Sequence, residues 1–482
     1  MIYHSTRNDA LTADSAHAVL RGLAPDGGLY IAALPDFDWK SVLSLDTLGM
    51  AEKILGALLP DFGGMAELVR RAYAGKFETD GLTPLVSVGD RYVLELFRGP
   101  TSAFKDVALS MLPQLITAAR EKTGLTDEIL ILTATSGDTG KAALAGFQDV
   151  AGTKIIVFYP DAGVSQVQQA QMVTQEGKNV CVCAVRGNFD DTQSGVKAIF
   201  SAGVPKDCGV VLSSANSINI GRLAPQVVYY FKAYADLCRA ERIRIGDSVD
   251  FVVPTGNFGD ILAGYLAKRM GLPVGTLVCA SNRNNVLTDF LRTGVYDRRR
   301  PFYKTLSPSM DILVSSNLER LLYLLTEDAA QVAELMRSLR EEGCFTVSDA
   351  LLRQLQAEFA CGCCDDAQTT AAIGAVWQKH RYLMDTHTAV AWTVAERYES
   401  ARPSVVLSTA SPYKFPAAVL HAIGGDTAGS EFEQMHRLHE ITGVPIPPAL
   451  AALERKPRRH FDVIDRDEMQ NYVLRKVNRW EA

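Results

Sequence analysis

Short apolar runs alternate with turn-rich loops and helix-like stretches through most of the chain. YVLELF (residues 92–97) leads into RGPTSAFKDVALSMLPQLI, and EILILTA (128–134) leads into TSGDTGKAALAGFQ. KIIVFYP (154–160) leads into DAGVSQVQQAQMV. VDFVVPTG (249–256) leads into NFGDILAGYLAKRM, with LPVGTLVCAS after it. Strands that alternate with helical patterns predict mainly parallel sheets covered by helices on both faces, an α/β fold. In such sheets ligands bind at the carboxyl ends of the strands, so the strand-to-helix loops are where chemistry is expected.

The two ends of the chain depart from this grammar. The first residues join a helical stretch, Ser15 to Arg21, to the turn-rich APDGGLYI, and residues 1–82 are expected to form a small N-terminal unit. Residues 83–460 follow as the main body. Within it, SSNLERLLYLLTEDAAQVAELMRSLREEG carries leucines at three- and four-residue spacing, which predicts helical packing over about 312–360. Residues 461–482 read as a charged, peripheral tail.

With 482 residues the chain is too long for one ordinary core. Its 47% hydrophobic and 22% charged residues are an ordinary globular balance. A net charge of -6 gives no electrostatic argument for nucleic acid or an anionic membrane as partner. No apolar run approaches the roughly 18 residues of a membrane span. The opening MIYHSTRNDALTADSAHAVL lacks the pattern of a signal peptide. A soluble, cytoplasmic protein is expected. Nine cysteines, an odd count, suit reduced thiols better than a disulfide framework. Cys361, Cys363 and Cys364 stand too close together to converge tetrahedrally by themselves, and are read as plain thiols in a loop or helix end. His436 and His439, at i, i+3 spacing, are read as a solvated helix face. No metal site is expected.

Three loops carry candidate chemistry. In TATSGDTGKAALAG a strand gives way to Thr135, Ser136, Gly137, Asp138 and Thr139 at a helix start. Hydroxyls, small residues and a helix N-terminus suit an anion such as a carboxylate or phosphate, although the same residues also make ordinary helix caps. The Gly140–Lys141 pair does not complete a nucleotide-binding P-loop, because Thr135 stands where glycine is needed and Ala142 where serine or threonine is needed. In PTGNFGDILAGY, Gly256, Asn257, Phe258, Gly259 and Asp260 turn a strand into a helix. Glycines there let several N–H groups approach a phosphate; a tight turn would need the glycines but not Asn257. The spacing is not that of a dinucleotide fingerprint. In ELFRGPTSAFKDVAL, Lys105 follows an apolar pair at a helix start. An apolar setting depresses a lysine's pKa and makes it a usable amine, and the helix dipole gives it no stabilising reason to be there. A reactive lysine, a phosphate cradle and a small-anion loop together suit pyridoxal phosphate acting on an amino acid.

At this point the residues resemble a known family. YHSTR, GLAPDGGLY, ELFRGPTSAFKDVAL, TATSGDTGKAA, RGNFDDTQ, NSINIGRLAPQVVYYF, PTGNFGD, TLSPSMDILVSSNLERLL, THTAV and LSTASPYKF are similar, in order, to segments of the threonine synthases with an N-terminal extension. The resemblance implies the fold-type II architecture of pyridoxal-phosphate enzymes: two open, mostly parallel sheets flanked by helices, with a small subdomain, about 98–220, inserted in a larger one. It implies that Lys105 binds the cofactor and then acts as the moving base. Residues Gly256 to Asp260 would hold the cofactor phosphate, Thr409 its pyridine nitrogen, and Asp138 its 3′-oxygen. Thr135, Ser136, Gly137, Asp138, Thr139, Asn216 and Asn219 would line the substrate pocket. The implied reaction converts O-phospho-L-homoserine and water to L-threonine and phosphate. Lys414 and Arg320 are candidate cations for the leaving phosphate. Monomer and homodimer both remain open.

Three positions depart from the family pattern. Arg98 and Ser411 stand where histidines are usual, and Tyr413 where alanine is usual. Arg98 is expected to strengthen positive charge near Lys105. The departures leave an alternative, a phospho-lyase of the same family that releases 2-oxobutanoate.

Overall fold

The computed structural model describes residues 1–135, 137–161, 164–205 and 208–480. Two open sheets organise the chain. The larger has six strands in the order Phe359–Cys363, Val274–Ser281, Val249–Pro254, Ser404–Ser408, Arg91–Glu95 and Leu85–Val88. All neighbours are parallel except the last pair, a hairpin. The smaller has five parallel strands in the order Val463–Ile464, Val180–Val185, Thr153–Pro160, Glu128–Ala134 and Val210–Ser213. Strands such as Val180–Val185 and Val249–Pro254 are buried along their whole length, because helices cover both faces. The architecture is the expected one.

The helix Ile220–Arg239 is the central pillar, buried at nearly every position from Ile220 to Ala235. Helix Lys105–Thr123 packs beside it and keeps Pro113 in its interior. A three-stranded antiparallel sheet (Asn8–Ala13, Tyr3–Ser5, Tyr30–Ala32) forms the N-terminal unit, together with helix Ser15–Arg21. Two adjacent charged residues pin that unit to the body. Glu319 accepts from Thr6 Oγ1 at 2.5 Å and from the Arg7 guanidinium at 2.7 and 2.8 Å. Arg320, fully buried, donates to the carbonyls of Tyr30 (3.0 Å) and Ile218 (2.5 Å) and to Asn317 Oδ1 (2.6 Å).

The helix-like stretch forms two helices, Leu318–Thr326 and Ala329–Glu341, because Glu327 takes φ 51° and Asp328 caps the second. Two expectations need correction. Cys361 and Cys363 lie in the edge strand Phe359–Cys363, rather than in a loop or helix end. The charged tail is not peripheral. Val463–Ile464 adds an edge strand to the smaller sheet, and Met469, Tyr472, Val473 and Val477 of the last helix are buried in that sheet's core. Its charges lie on one face of an amphipathic helix, and the apolar face was masked by their number. His436 and His439 meet Glu454 and the Val444 carbonyl on helix Glu431–Thr442. Among the described residues, no helix is long and apolar enough to cross a membrane.

Candidate active site

Lys105 is the first residue of its helix, delivered there by a strained approach. Ser102 has φ 59° and is fully buried. The segment Ser102–Phe104 runs antiparallel to Thr409–Ser411: Phe104 N donates to Thr409 O at 2.8 Å, and Ser411 N donates to Ser102 O at 3.1 Å. Lys105 and Thr409 are thereby brought to one place from distant parts of the chain. Asp106 locks the turn by accepting from Thr101 N (2.8 Å) and Thr101 Oγ1 (2.5 Å). Gly99 is required beneath it, since a Cβ there would lie 2.5 Å from Asp106 Oδ2. The Lys105 side chain is partly accessible, yet protein encloses its amine. Burial holds its pKa down to about 8, against the opposing pull of Asp138 and helped by Arg222 and Lys414.

The loop after strand Glu128–Ala134 is organised by Thr135. Its hydroxyl accepts from Gly137 N and Gly140 N, both at 3.0 Å, and donates to Gly137 O at 3.1 Å. That engagement corrects the substrate-contact expectation for Thr135: its polar capacity goes to shaping the loop. Ser136 lies outside the described residues. Asp138 is buried against Lys414, 2.6 Å away, with Gln168 Nε2 donating to the same oxygen at 3.0 Å. Burial alone would raise the Asp138 pKa; Lys414 and Lys105 outweigh it and hold the carboxyl below its ordinary range. Thr139 remains partly accessible one residue on.

The third loop forms a cradle. Phe258 takes φ 64° and helix Gly259–Arg269 begins after it. Among the described residues, the N–H groups of Gly256, Asn257, Phe258 and Gly259 find no protein acceptor. Gly256 must be glycine, because a Cβ would stand 2.9 Å from Ser309 O. Asp260 is buried, accepts from Tyr229 (2.5 Å) and Tyr230 (3.1 Å) through Oδ1, and leaves Oδ2 without a partner. Burial raises its pKa to about 6 despite those tyrosines and Lys105.

Arg222 completes the charge pattern. Its side chain is 3% exposed; Nη1 donates to Ala215 O at 2.6 Å, and Nε has no partner. Burial lowers its pKa to about 10. An unpaired buried guanidinium is costly unless an anion joins it.

The sequence signature of the pyridoxal-phosphate dependent enzymes matches residues 80–409. That of the threonine synthase N terminus matches 2–84, and that of the threonine synthase C-terminal region matches 388–473. The chain is 41% identical over 431 residues to a threonine synthase of Pseudomonas aeruginosa, covering 87% of this chain and 90% of that one. It belongs to the threonine synthase family of pyridoxal-phosphate-dependent enzymes. It is also 38% identical over 467 residues to human threonine synthase-like 1, covering 91% of this chain but only 62% of that protein's length. A crystal structure of pyridoxal-phosphate-bound threonine synthase from Brucella melitensis superposes with a TM-score of 0.89 at 39% identity, covering 99% of this chain and all of that one (100%).

The threonine synthase cofactor can be tested against these residues. Lys105 offers a desolvated amine, Gly256–Gly259 a set of unused donors, and Thr409 a hydroxyl on the segment paired with Ser102–Phe104. Arg222 Nε and Asp260 Oδ2 are buried without partners, and both residues act electrostatically on Lys105; Ser102 Oγ, three residues before that lysine, is also buried without a partner. Orphaned buried polar atoms are what a polar, anionic group would satisfy. The residues fit.

Three further expectations change. Asn219 is fully buried and committed: Oδ1 caps its helix through Gly221 N at 2.8 Å, and Nδ2 donates to Val19 O at 2.9 Å. It ties the N-terminal unit to the pillar instead of lining the pocket, whereas Asn216 is exposed three residues earlier. Arg320 is spent on the interdomain carbonyls above and is not a free phosphate ligand. Arg98 adds no free charge near Lys105, because Glu95 (2.6 Å) and Glu78 (3.1 Å) neutralise it. Ser411, in the usual histidine position, caps the short turn Pro412–Lys414. Tyr413, in the usual alanine position, is buried and donates to the Val444 carbonyl. Sequence reasoning passed over Arg222, since an arginine inside a helix-like run has no local mark of burial. Its signal was the apolar company in NIGRLAPQVVYY.

The Lys105 pKa makes a prediction. The rate at which cofactor-free protein takes up pyridoxal phosphate is expected to rise with pH, half-maximally near 8, where the amine loses its proton. Stopped-flow absorbance reads it; a midpoint near the ordinary lysine value of about 10.4 would contradict the enclosed amine.

Proposed function

We propose that this chain is a threonine synthase converting O-phospho-L-homoserine and water to L-threonine and phosphate. The observation that carries the reading is the gathering of Lys105, the Gly256–Gly259 cradle and the unpaired Arg222 at adjoining strand and helix ends. When bound, pyridoxal phosphate supplies the electron sink that makes protons on the substrate's carbons removable. Gly256, Asn257, Phe258 and Gly259 hold its phosphate through backbone N–H groups, and the positive end of helix Gly259–Arg269 supports that charge. Thr409 meets the ring nitrogen as a neutral hydroxyl. Asp138, kept ionised by Lys414, serves the 3′-oxygen side.

Lys105 Nζ, freed by the substrate's own amine, takes the Cα proton. It then serves the neighbouring carbons as protons move from Cβ and back to Cγ. A neutral amine is needed for the first of these steps, and burial supplies it near pH 8. Phosphate leaves from Cγ, and water adds at Cβ. Thr139, with Gly137 beside it, binds the carboxylate at a helix start. Arg222 receives the substrate phosphate: it is buried, its Nε has no partner, and among the described residues no carboxylate pairs with it. Asn216, exposed at the rim, is a secondary contact. Nine unpaired thiols support a cytoplasmic location.

The experiment is incubation with O-phospho-L-homoserine and product analysis. Threonine with equimolar phosphate is expected; 2-oxobutanoate with ammonia would select the phospho-lyase instead. Arg222→Met is expected to raise KM for the phosphorylated substrate about 10- to 100-fold, the loss of one or two charge-assisted hydrogen bonds. An unchanged KM in steady-state assays would remove Arg222 from the phosphate site.

A further inference from the structure

The THTAV segment takes no part in the chemistry above, yet it builds a buried relay. Asp385 caps helix Thr386–Arg397, accepting from His387 N at 2.7 Å, so its carboxylate is fixed by the helix start. The same oxygen meets His387 Nδ1 at 2.9 Å. On the far side of the ring, Nε2 accepts the backbone N–H of Ser309 at 3.1 Å. Both side chains are almost fully buried, and Phe415 covers the ring with centroids 5.0 Å apart. An acceptor at Nε2 and a carboxylate at Nδ1 define one tautomer, with hydrogen on Nδ1.

Ser309 lies in the short turn Pro308–Met310, which forms the wall of the cradle. Its carbonyl would be 2.9 Å, and Met310 Cα 3.2 Å, from a Cβ on Gly256. The loop that follows meets the cradle again: Asn317 N donates to Asn257 O at 3.0 Å, and Ser315 Oγ donates to Gly256 O. The turn therefore packs closely against the backbone of Gly256 and limits where the cradle can sit.

We propose that His387 is a positioning residue for the cofactor-phosphate cradle, holding the Pro308–Met310 turn against Gly256 through the Asp385–His387–Ser309 relay. The proposal rests on the reading of Gly256–Gly259 as that cradle. Its function is local. A turn fixed by a buried, tautomer-locked ring keeps the Gly256 N–H aimed at a phosphate oxygen, and a turn free to shift does not.

The test measures Kd of the cofactor-stripped full chain for pyridoxal phosphate and for pyridoxal, which lacks the phosphate. The ratio of the two isolates the cradle from everything that holds the ring. Three variants are compared. His387→Leu keeps volume and removes the acceptor, and His387→Gln restores an acceptor near Nε2. Asp385→Asn keeps the shape but has one oxygen in place of two: His387 N and Nδ1 share Asp385 Oδ1 while Thr388 donates to Oδ2, so the amide cannot serve both sides and the ring's anchor is loosened. His387→Leu and Asp385→Asn are expected to lower the preference for pyridoxal phosphate about tenfold, and His387→Gln to recover most of it. An unchanged ratio in folded His387→Leu, or in Asp385→Asn should the leucine variant fail to fold, overturns the relay. Gly256→Ala is the separate control. If it too leaves the ratio unchanged, the cradle reading itself fails; if it lowers the ratio while the relay variants do not, only the role of His387 fails.

Discussion

Lys105→Ala is expected to abolish threonine formation, by at least about 10⁴-fold, while the chain stays folded. Removing the amine takes away a proton carrier worth about 10²–10⁴-fold on its own. It also takes away the covalent hold on the cofactor, so both losses act on the same turnover. The fold should tolerate the change. Lys105 is the first residue of its helix, where a cation opposes the helix dipole, and alanine is the better helix former. Burial already works against its charge, as the pKa of about 8 records. Unfolding temperature should therefore hold or rise slightly. The visible absorption band of the bound cofactor should disappear. Amino-acid analysis, absorbance and thermal unfolding on one sample check all three; threonine output near that of the unaltered protein would remove Lys105 from the mechanism.

Asp138→Ala is expected to give the largest loss of stability at the site, about 3–5 kcal/mol. Among the described residues, the substitution leaves Lys414, which is fully buried, with only the Thr101 carbonyl at 3.1 Å. Breaking a buried pair from one side costs that much because the remaining charge has neither water nor partner. Removing both charges, as in Asp138→Ala with Lys414→Met, should recover most of the loss, so the two single effects will not add. The pH dependence has a definite sign. Asp138 has a folded pKa below its unfolded value of about 3.9, so its contribution is fully present above that value. It disappears as pH falls through the folded pKa. Urea midpoints at neutral pH and in acid should therefore converge between the unaltered protein and the variant. A variant as stable as the unaltered protein at neutral pH would mean that the pair carries no net weight.

The large-scale fold was legible because both sheets announce themselves locally. EILILTA and KIIVFYP are largely apolar runs of strand length followed by turn formers, and such a pattern needs nothing distant to be read. The tail was misread for the converse reason. Charged and polar residues crowd its sequence, and only the small sheet's face, built more than 250 residues earlier, makes Tyr472 and Val473 core residues. The site divides along the same line. Lys105 and the Gly256–Gly259 turn lie in local motifs and could be found from them. Asn219 and Arg320 carried the right chemistry, but their polar atoms go to carbonyls of the N-terminal unit, 200 and 290 positions away. Arg98 looked like added charge until Glu78, twenty residues earlier, was found beside it. Arg222 was missed because burial, not residue type, makes it a candidate.

The most direct measurement is turnover of O-phospho-L-homoserine in ¹⁸O-labelled water. A threonine synthase breaks the Cγ–oxygen bond and adds water at Cβ. Threonine should therefore carry one heavy oxygen in its hydroxyl, and the released phosphate should carry none. Labelled phosphate with homoserine, or 2-oxobutanoate with ammonia in place of threonine, would contradict the proposed reaction.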